Sequence, residues 1–383
     1  MTNLFEEDLA HAEQKGLLRS LRIIEGWDGR SAVIDGKKVT VFGSNDYLGL
    51  SCHPEMQEAV SRFMAGSPFG SGASRLVAGT TKHHVAFEEE IAQFLNKEAA
   101  LMFSSGYSAN VGLMTALLNK NDTVYADRLT HASLLDGARF AGARLKRFKH
   151  NNPESLAELL SKNDGKGKKL VVTEGVFSMD GDKPPLAEIT KTAKKYGAIL
   201  LVDDAHGFGV FGENGRGTVD EAGVARQVDI HAVTLGKALG GQGGIIAGSR
   251  SLIDGLINFS RSFIYSTAPP QVMAVAGSVA LKVVSGTEGK TLRKKLGNNI
   301  DLLALGLKKL GLNGSGSHIV PVMVARDKDI VQMGKRMLEQ GVLAPAIRPP
   351  TVPPGTARFR VSLSASHNEG DISKLLEILG KTL

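Results

Sequence analysis

A lysine and a pair of aspartates stand where apolar runs end and loops begin, the places at which side chains of a parallel sheet meet a ligand. Lys237 follows the run at 230–234 and is surrounded by Gly236, Ala238, Gly240, Gly241, Gly243 and Gly244. Asp203 and Asp204 follow the run at 199–202. A lysine amine in such a place forms a Schiff base with a carbonyl, and an aspartate can hold a pyridine nitrogen protonated so that the ring withdraws electrons. That pairing is the chemistry of pyridoxal phosphate. The acids also admit a plainer reading, in which they cap the next element.

The other requirements of that cofactor can be sought one by one. Its phosphate needs backbone N–H groups at a helix start, and Ser105-Gly106-Tyr107 precedes a helix predicted from Ser108. A flat partner for the ring is available in His131, which equally reads as an ordinary residue at the start of a helix. Hydrogen-bond partners for the phenolic oxygen are available in Ser178 and His206, both near strand ends. Competing motifs fail on context. Gly207-Phe208-Gly209-Val210-Phe211-Gly212 matches a dinucleotide fingerprint but leads into the turn-rich Glu213-Asn214-Gly215 where a helix is required. Gly236-Lys237 is followed by Ala238 where a phosphate-cradling loop needs Ser or Thr. Asp203-Asp204-Ala205-His206 lacks the further ligands a metal would demand, so no metal is expected.

The elements that must carry these residues alternate. Helical periodicity at 4–21 leads into a hairpin whose strands, 32–34 and 39–41, flank Asp35-Gly36. Helices are predicted at 55–64, 85–95, 108–118, from 132, and at 186–195; strands at 100–103, 123–126, 145–148, 170–173, 199–202, 230–234 and 245–247. Helix and strand in alternation imply an α/β fold with a mostly parallel sheet covered on both faces. After Ala268-Pro269-Pro270 the pattern changes to two long helices, strands at 319–324 and 358–361, and a last helix at 372–379. The expected organisation is an N-terminal segment (1–52), a large domain (53–268) and a smaller α+β C-terminal domain (269–383).

Composition bounds the partners. The 383 residues carry 46 Lys and Arg against 39 Asp and Glu, a net charge of +7 that suits anionic small molecules as well as nucleic acid. Aromatic residues make up only 5% and the basic ones are dispersed, which argues against a nucleic-acid surface. Cys52 is the single cysteine, so no intrachain disulfide is possible, and neither a signal peptide nor a membrane span is readable; a cytoplasmic location is expected. Forty-five glycines are an excess that needs a backbone reason. Gly70, Gly72, Gly106, Gly175, Gly207, Gly236 and the run 240–244 are expected to lie where the chain approaches a phosphate or turns sharply beside the cofactor.

Five separated stretches in order, GSNDYLGL (43–50), GSGASRLVAGT (70–80), TEGVFSMDGD (173–182), VDDAHG (202–207) and TLGK (234–237), resemble the α-oxoamine synthases from about Leu18 to the C-terminus. The resemblance implies the aspartate-aminotransferase-like fold (type I of the pyridoxal phosphate enzymes) with a seven-stranded sheet. It implies a homodimer with shared sites, and joining of an amino acid to an acyl thioester. Lys237 would bond the cofactor, Asp203 meet its pyridine nitrogen and His131 stack on its ring. Ser178 and His206 would meet its phenolic oxygen, Gly106 and Tyr107 line its site, and Thr234 bind its phosphate, joined by Thr267 of the partner chain. Asn45 and Arg360 would hold the amino-acid carboxylate, with His131 also facing substrate. Arg19, Arg348 and Thr351 would lie on the acyl side, with Arg22 as an alternative to Arg19. The stretch AIRPPTVPPGTARFR (346–360) is most similar to members that use L-alanine and a pimeloyl thioester, carried by coenzyme A or acyl carrier protein. The nearest rival is a glycine and acetyl-CoA enzyme of the same family, separated by pocket contacts worth only ~1–3 kcal/mol per methylene.

Overall fold

The chain is described by a computed structural model covering residues 4–383 apart from Gly16, Asp164, Ala325, Arg326, Lys328 and Pro350. Helix α1 (Glu6–Gln14) buries none of its residues, and the chain after it is extended, with Leu21 and Ile23 exposed. The helix expected to reach residue 21 therefore stops early: among the described residues nothing buries its apolar side chains. Strands β1 (Gly26–Trp27), β2 (Ser31–Ile34) and β3 (Lys37–Val41) follow. Asp35 and Gly36 both take positive φ, the tight turn that an Asp-Gly pair favours.

Next come α2 (Pro54–Met64) and α3 (Lys82–Phe94), then β4 (Ala99–Phe103), α4 (Gly106–Leu117), β5 (Thr123–Asp127), α5 (Ala132–Phe140) and β6 (Arg144–Phe148). Strands β7 (Lys169–Glu174), β8 (Ile199–Asp203), β9 (Ile230–Thr234) and β10 (Gly244–Gly248) complete a seven-stranded sheet in the order β4-β10-β9-β8-β7-β5-β6. Only β10 runs against the rest, being antiparallel to both β4 and β9. Most strands of this sheet are buried throughout, as expected of a layer covered on both faces. Its two sides pack into separate apolar clusters, one containing Leu113, Leu134 and Leu201, the other Leu156, Ile189 and Leu200.

The helices at Gln271–Ser285 and Thr287–Lys309 lead to β11 (Ile319–Met323), β12 (Val342–Leu343), β13 (Ala346–Ile347) and β14 (Arg358–Ser362). β14 lies between β11 and β13, while β12 leaves them and pairs in parallel with β3. The helices at Pro153–Ser161, Arg250–Phe259 and Ile330–Glu339 are not among those predicted with bounds from the sequence pattern.

Candidate active site

The parallel register sets the site. Glu174 and Asp203 are cross-strand partners at the ends of β7 and β8, and Asp203 pairs in turn with Ala232 of β9. Lys237 sits in the turn that joins β9 to β10. Gly106, Tyr107, His131, Asp203, His206, Thr234 and Lys237 line one cavity of about 190 Å³, together with Asn110, Ser133 and Glu174.

Strand alternation separates the two aspartates. Asp203 points into the cavity, its Oδ2 accepting from Asn110 Nδ2 at 2.8 Å and its Oδ1 from the Ala205 N–H at 3.1 Å. Asp204 is wholly buried and accepts from the N–H and hydroxyl of Thr218, each at 2.7 Å, with His231 Nε2 3.3 Å away. One acid thus belongs to the site and the other anchors the segment at Thr218. This also corrects the glycine expectation: a Cβ at Gly175, Gly207 or Gly217 would come within about 2 Å of the Asp204 carboxylate. These glycines make room for a buried acid, not for a phosphate. Gly70 and Gly72 have no heavy atom within 4 Å of such a Cβ, so close approach does not explain them. Gly244 does serve the site, because a Cβ there would strike the Ser105 carbonyl and the Gly106 N–H at the start of α4.

The electrostatics follow from burial. Lys237 is pushed down to about 8 because its ammonium is desolvated; Asp203 and Glu174 pull the other way, and Arg360 adds to the lowering. Glu174 is raised well above the usual carboxyl range by desolvation and by Asp203, and its Oε1 accepts from the His131 backbone N–H at 2.6 Å. His206 is held well below the ordinary imidazole range, by burial first and then by Lys237 and Arg360. Its Nδ1 lies 2.6 Å from the Tyr47 hydroxyl, whose own pKa burial pushes up to about 12. Asn45 Oδ1 accepts from Tyr47 at 3.1 Å and from Arg360 Nη2 at 3.2 Å, and Arg360 Nε donates to the Ser178 carbonyl. Asn45, Arg360, His206 and Ser178 are in this way joined into one polar edge.

A second cavity of about 710 Å³ shares His131 with the first and is lined by Ser178 and Thr351 alongside Phe177, Met179, Val352 and Arg358. Arg348 Nη2 reaches the Leu18 carbonyl at 3.3 Å, next to Arg19, which is exposed and lines neither cavity. Thr267 is also exposed, bridged to Ser74 outside both cavities. Pro350, within the 346–360 stretch, lies outside the described residues. Sequence reasoning missed Asn110, Ser133, Glu174 and Tyr47. Glu174 carried a signal, since it ends β7 as Asp203 ends β8, and Asn110 another, as the one amide side chain of α4.

The residues fit pyridoxal phosphate. One cavity gathers a lysine amine partly unprotonated near neutrality, a carboxylate held by an amide, and the start of α4, whose first N–H groups lack intrahelical partners.

The profile of the class I and II aminotransferases matches residues 37–379. An 8-amino-7-oxononanoate synthase of Geobacter sulfurreducens is 43% identical over 383 residues, covering 100% of this chain and 98% of its own. One from Thioalkalivibrio sulfidiphilus is 45% identical, over 98% of this chain and 96% of its own. The chain belongs to the 8-amino-7-oxononanoate synthase family. Among solved structures, the serine palmitoyltransferase of Sphingomonas wittichii superposes with a TM-score of 0.94 at 30% identity, covering 100% of this chain and 98% of its own. The 8-amino-7-oxononanoate synthase of Francisella tularensis gives 0.77 at 30% identity, with 90% and 97% covered. The fold is the aspartate-aminotransferase-like one that the family resemblance implied.

Proposed function

We propose that this chain is a pyridoxal-phosphate-dependent acyltransferase of biotin biosynthesis. It condenses L-alanine with a pimeloyl thioester to give 8-amino-7-oxononanoate, CO₂ and the free thiol carrier. The observation that carries the reading is Lys237, Asp203, His131 and His206 in a single cavity, in a chain 43% identical over its whole length to a synthase of that name.

When bound, pyridoxal phosphate supplies an aldehyde for an amine and a protonated ring that draws electrons from the bond broken at Cα. Lys237 would be the residue that holds the cofactor, and as a neutral amine it would take the Cα proton. The lowering of its pKa by burial favours that neutral form. Asp203 would serve the pyridine nitrogen, keeping a proton on it. His131 would hold the ring, His206 and Ser178 would serve its phenolic oxygen, and Gly106, Tyr107 and Thr234 would hold the phosphate. Asn45 and Arg360, bonded to each other at 3.2 Å, receive the amino-acid carboxylate. The acyl chain takes the larger cavity, whose Thr351, Phe177 and Val352 combine a hydroxyl with apolar walls; Arg348, whose carbonyl accepts from the Thr351 N–H, and Arg19 are assigned to the acyl side. The thiolate leaves on attack of the alanine Cα on the thioester, CO₂ then departs with its bonding electron pair left at Cα, and a proton delivered to that carbon completes the exchange.

A homodimer completes the site in this reading. Its support is the set of exposed apolar residues on the surface that carries Thr267, including Phe69, Val77 and Tyr265, together with Thr267 itself, which this chain leaves outside the cavity. A cytoplasmic location is supported by the lone, free Cys52. The test is a matrix of alanine, glycine and serine against acetyl-, succinyl-, pimeloyl- and palmitoyl-CoA, scored by thiol release. Alanine with the pimeloyl thioester is the expected best pair; preference for glycine with acetyl-CoA would overturn the substrate assignment.

A further inference from the structure

His131 has a fixed hydrogen-bond environment on one side only. It caps α5, and its Nδ1 accepts from the Ser133 backbone N–H at 3.3 Å. A backbone N–H can only donate, so Nδ1 carries no proton and the neutral ring must carry its proton on Nε2. The Ser133 hydroxyl, 2.7 Å from the same Nδ1, is therefore also a donor to it. That leaves the hydroxyl's lone pairs to accept, and Asn110 Nδ2 donates to them at 3.0 Å. The second proton of the same amide goes to Asp203 Oδ2 at 2.8 Å. Asn110 is 4% exposed and Ser133 wholly buried, so water does not compete for these bonds. The amide cannot be turned round, because its oxygen would then face the carboxylate.

We propose that Asn110 and Ser133 are positioning residues that hold His131 as its Nε2–H tautomer and tie it to Asp203 through one amide. The inference rests on the proposed function for its purpose: the residue that meets the pyridine nitrogen and the residue that stacks on the ring are set by a single side chain. It also leaves the Nε2–H of His131 as a donor aimed at whatever occupies the two cavities that His131 lines. The charged groups facing the ring are Asp203 and Asp136, which favour the imidazolium, and Lys237, which opposes it; Glu174 holds the backbone N–H of the same residue. Burial and the double donation to Nδ1 both work against the charged form.

The experiment is nitrogen NMR of the full chain labelled at histidine, titrated with pH before and after addition of pyridoxal phosphate, with the His131 signal assigned by its loss in His131→Asn. The expected wild-type result is an unprotonated Nδ1 and a protonated Nε2 in both states. Ser133→Ala should raise the imidazole's titration midpoint by about one pH unit. Asn110→Ala should move it the same way, because the freed hydroxyl can then accept from a protonated Nδ1. Thr115→Ala, elsewhere on α4, should leave it where it is. A wild-type Nδ1–H, or a midpoint that Ser133→Ala does not move, would overturn the proposal. The tautomer is read without cofactor, so these failures leave the proposed function standing, and a chain that bound no pyridoxal phosphate would still report its tautomer.

Discussion

Replacing Lys237 with methionine should make the chain without cofactor more stable. The lysine is lowered from 10.5 to about 8 by burial, even with Asp203 and Glu174 beside it. At about pH 7 the folded chain therefore holds the ammonium at a cost of up to about 3 kcal/mol relative to the unfolded chain, where the same group ionises freely. Methionine has similar length and no charge, so it removes that cost while keeping the volume filled. The sign of the pH dependence follows from proton binding. Between pH 8 and 10.5 the unfolded chain binds more protons at this position than the folded one, so wild-type stability rises with pH through that window. The advantage of Lys237→Met should accordingly be largest below about pH 8 and shrink as pH approaches 10.5. Urea unfolding of both proteins, stripped of cofactor, at several pH values measures the difference directly. A variant no more stable than wild type at neutral pH, or an advantage that does not change as pH rises, would show that the cavity solvates the ammonium and that its burial is not what sets its basicity.

Other consequences can be checked alongside. Lys237→Ala should abolish both turnover and the visible absorbance band that pyridoxal phosphate gains on covalent attachment; a variant retaining either would remove Lys237 from its assigned role. Asp203→Asn should still bind cofactor but lose roughly 10²-fold or more in the rate of Cα hydrogen exchange with solvent, measured by deuterium incorporation into alanine. Arg75 makes two 2.9 Å bonds to Glu88, and both side chains are buried, so Arg75→Leu should cost about 3–5 kcal/mol in urea unfolding by stranding the carboxylate. His150 is partly desolvated, yet its bonds to Asp127 and Asp182 raise it to about 10. Its contribution is present below the ordinary imidazole value of 6.5 and fades as pH climbs toward 10, so His150→Asn should lower the thermal midpoint more in mildly acidic than in alkaline buffer.

How much of this was legible beforehand depended on how far a residue's partners lie along the chain. The alternation that predicts the parallel sheet is local, and the strand ends that carry Asp203, Thr234 and the Lys237 turn fell within a residue or two of their expected places. The residues alone left the readings of Asp203 and Asp204 open, and only the family resemblance pointed to Asp203, because the choice depends on which face of β8 meets the cavity; the packing of Gly175, Gly207 and Gly217 around Asp204 shows it in space. Asn110 and Ser133 were missed because the bond that joins them exists only when α4 and α5 are laid side by side. The early stop of α1 was hidden for the opposite reason, since its apolar residues read as a buried face while the structure covers none of them.

The pairing of β12 with β3 bears on how the molecule is made. Thr40 and Val41 wait for Val342 and Leu343, and Asn45 meets Arg360 across 315 positions of chain. Contacts of such sequence separation close late, after loop entropy has been overcome, and on the ribosome they cannot form until nearly all of the protein has emerged. The cofactor cavity, whose lining ends at Ile245, has all its residues long before that. A nascent or prematurely terminated chain could thus assemble a place for the cofactor while lacking Arg360, proposed above to receive the amino acid, and an open β3 edge would mark it as unfinished.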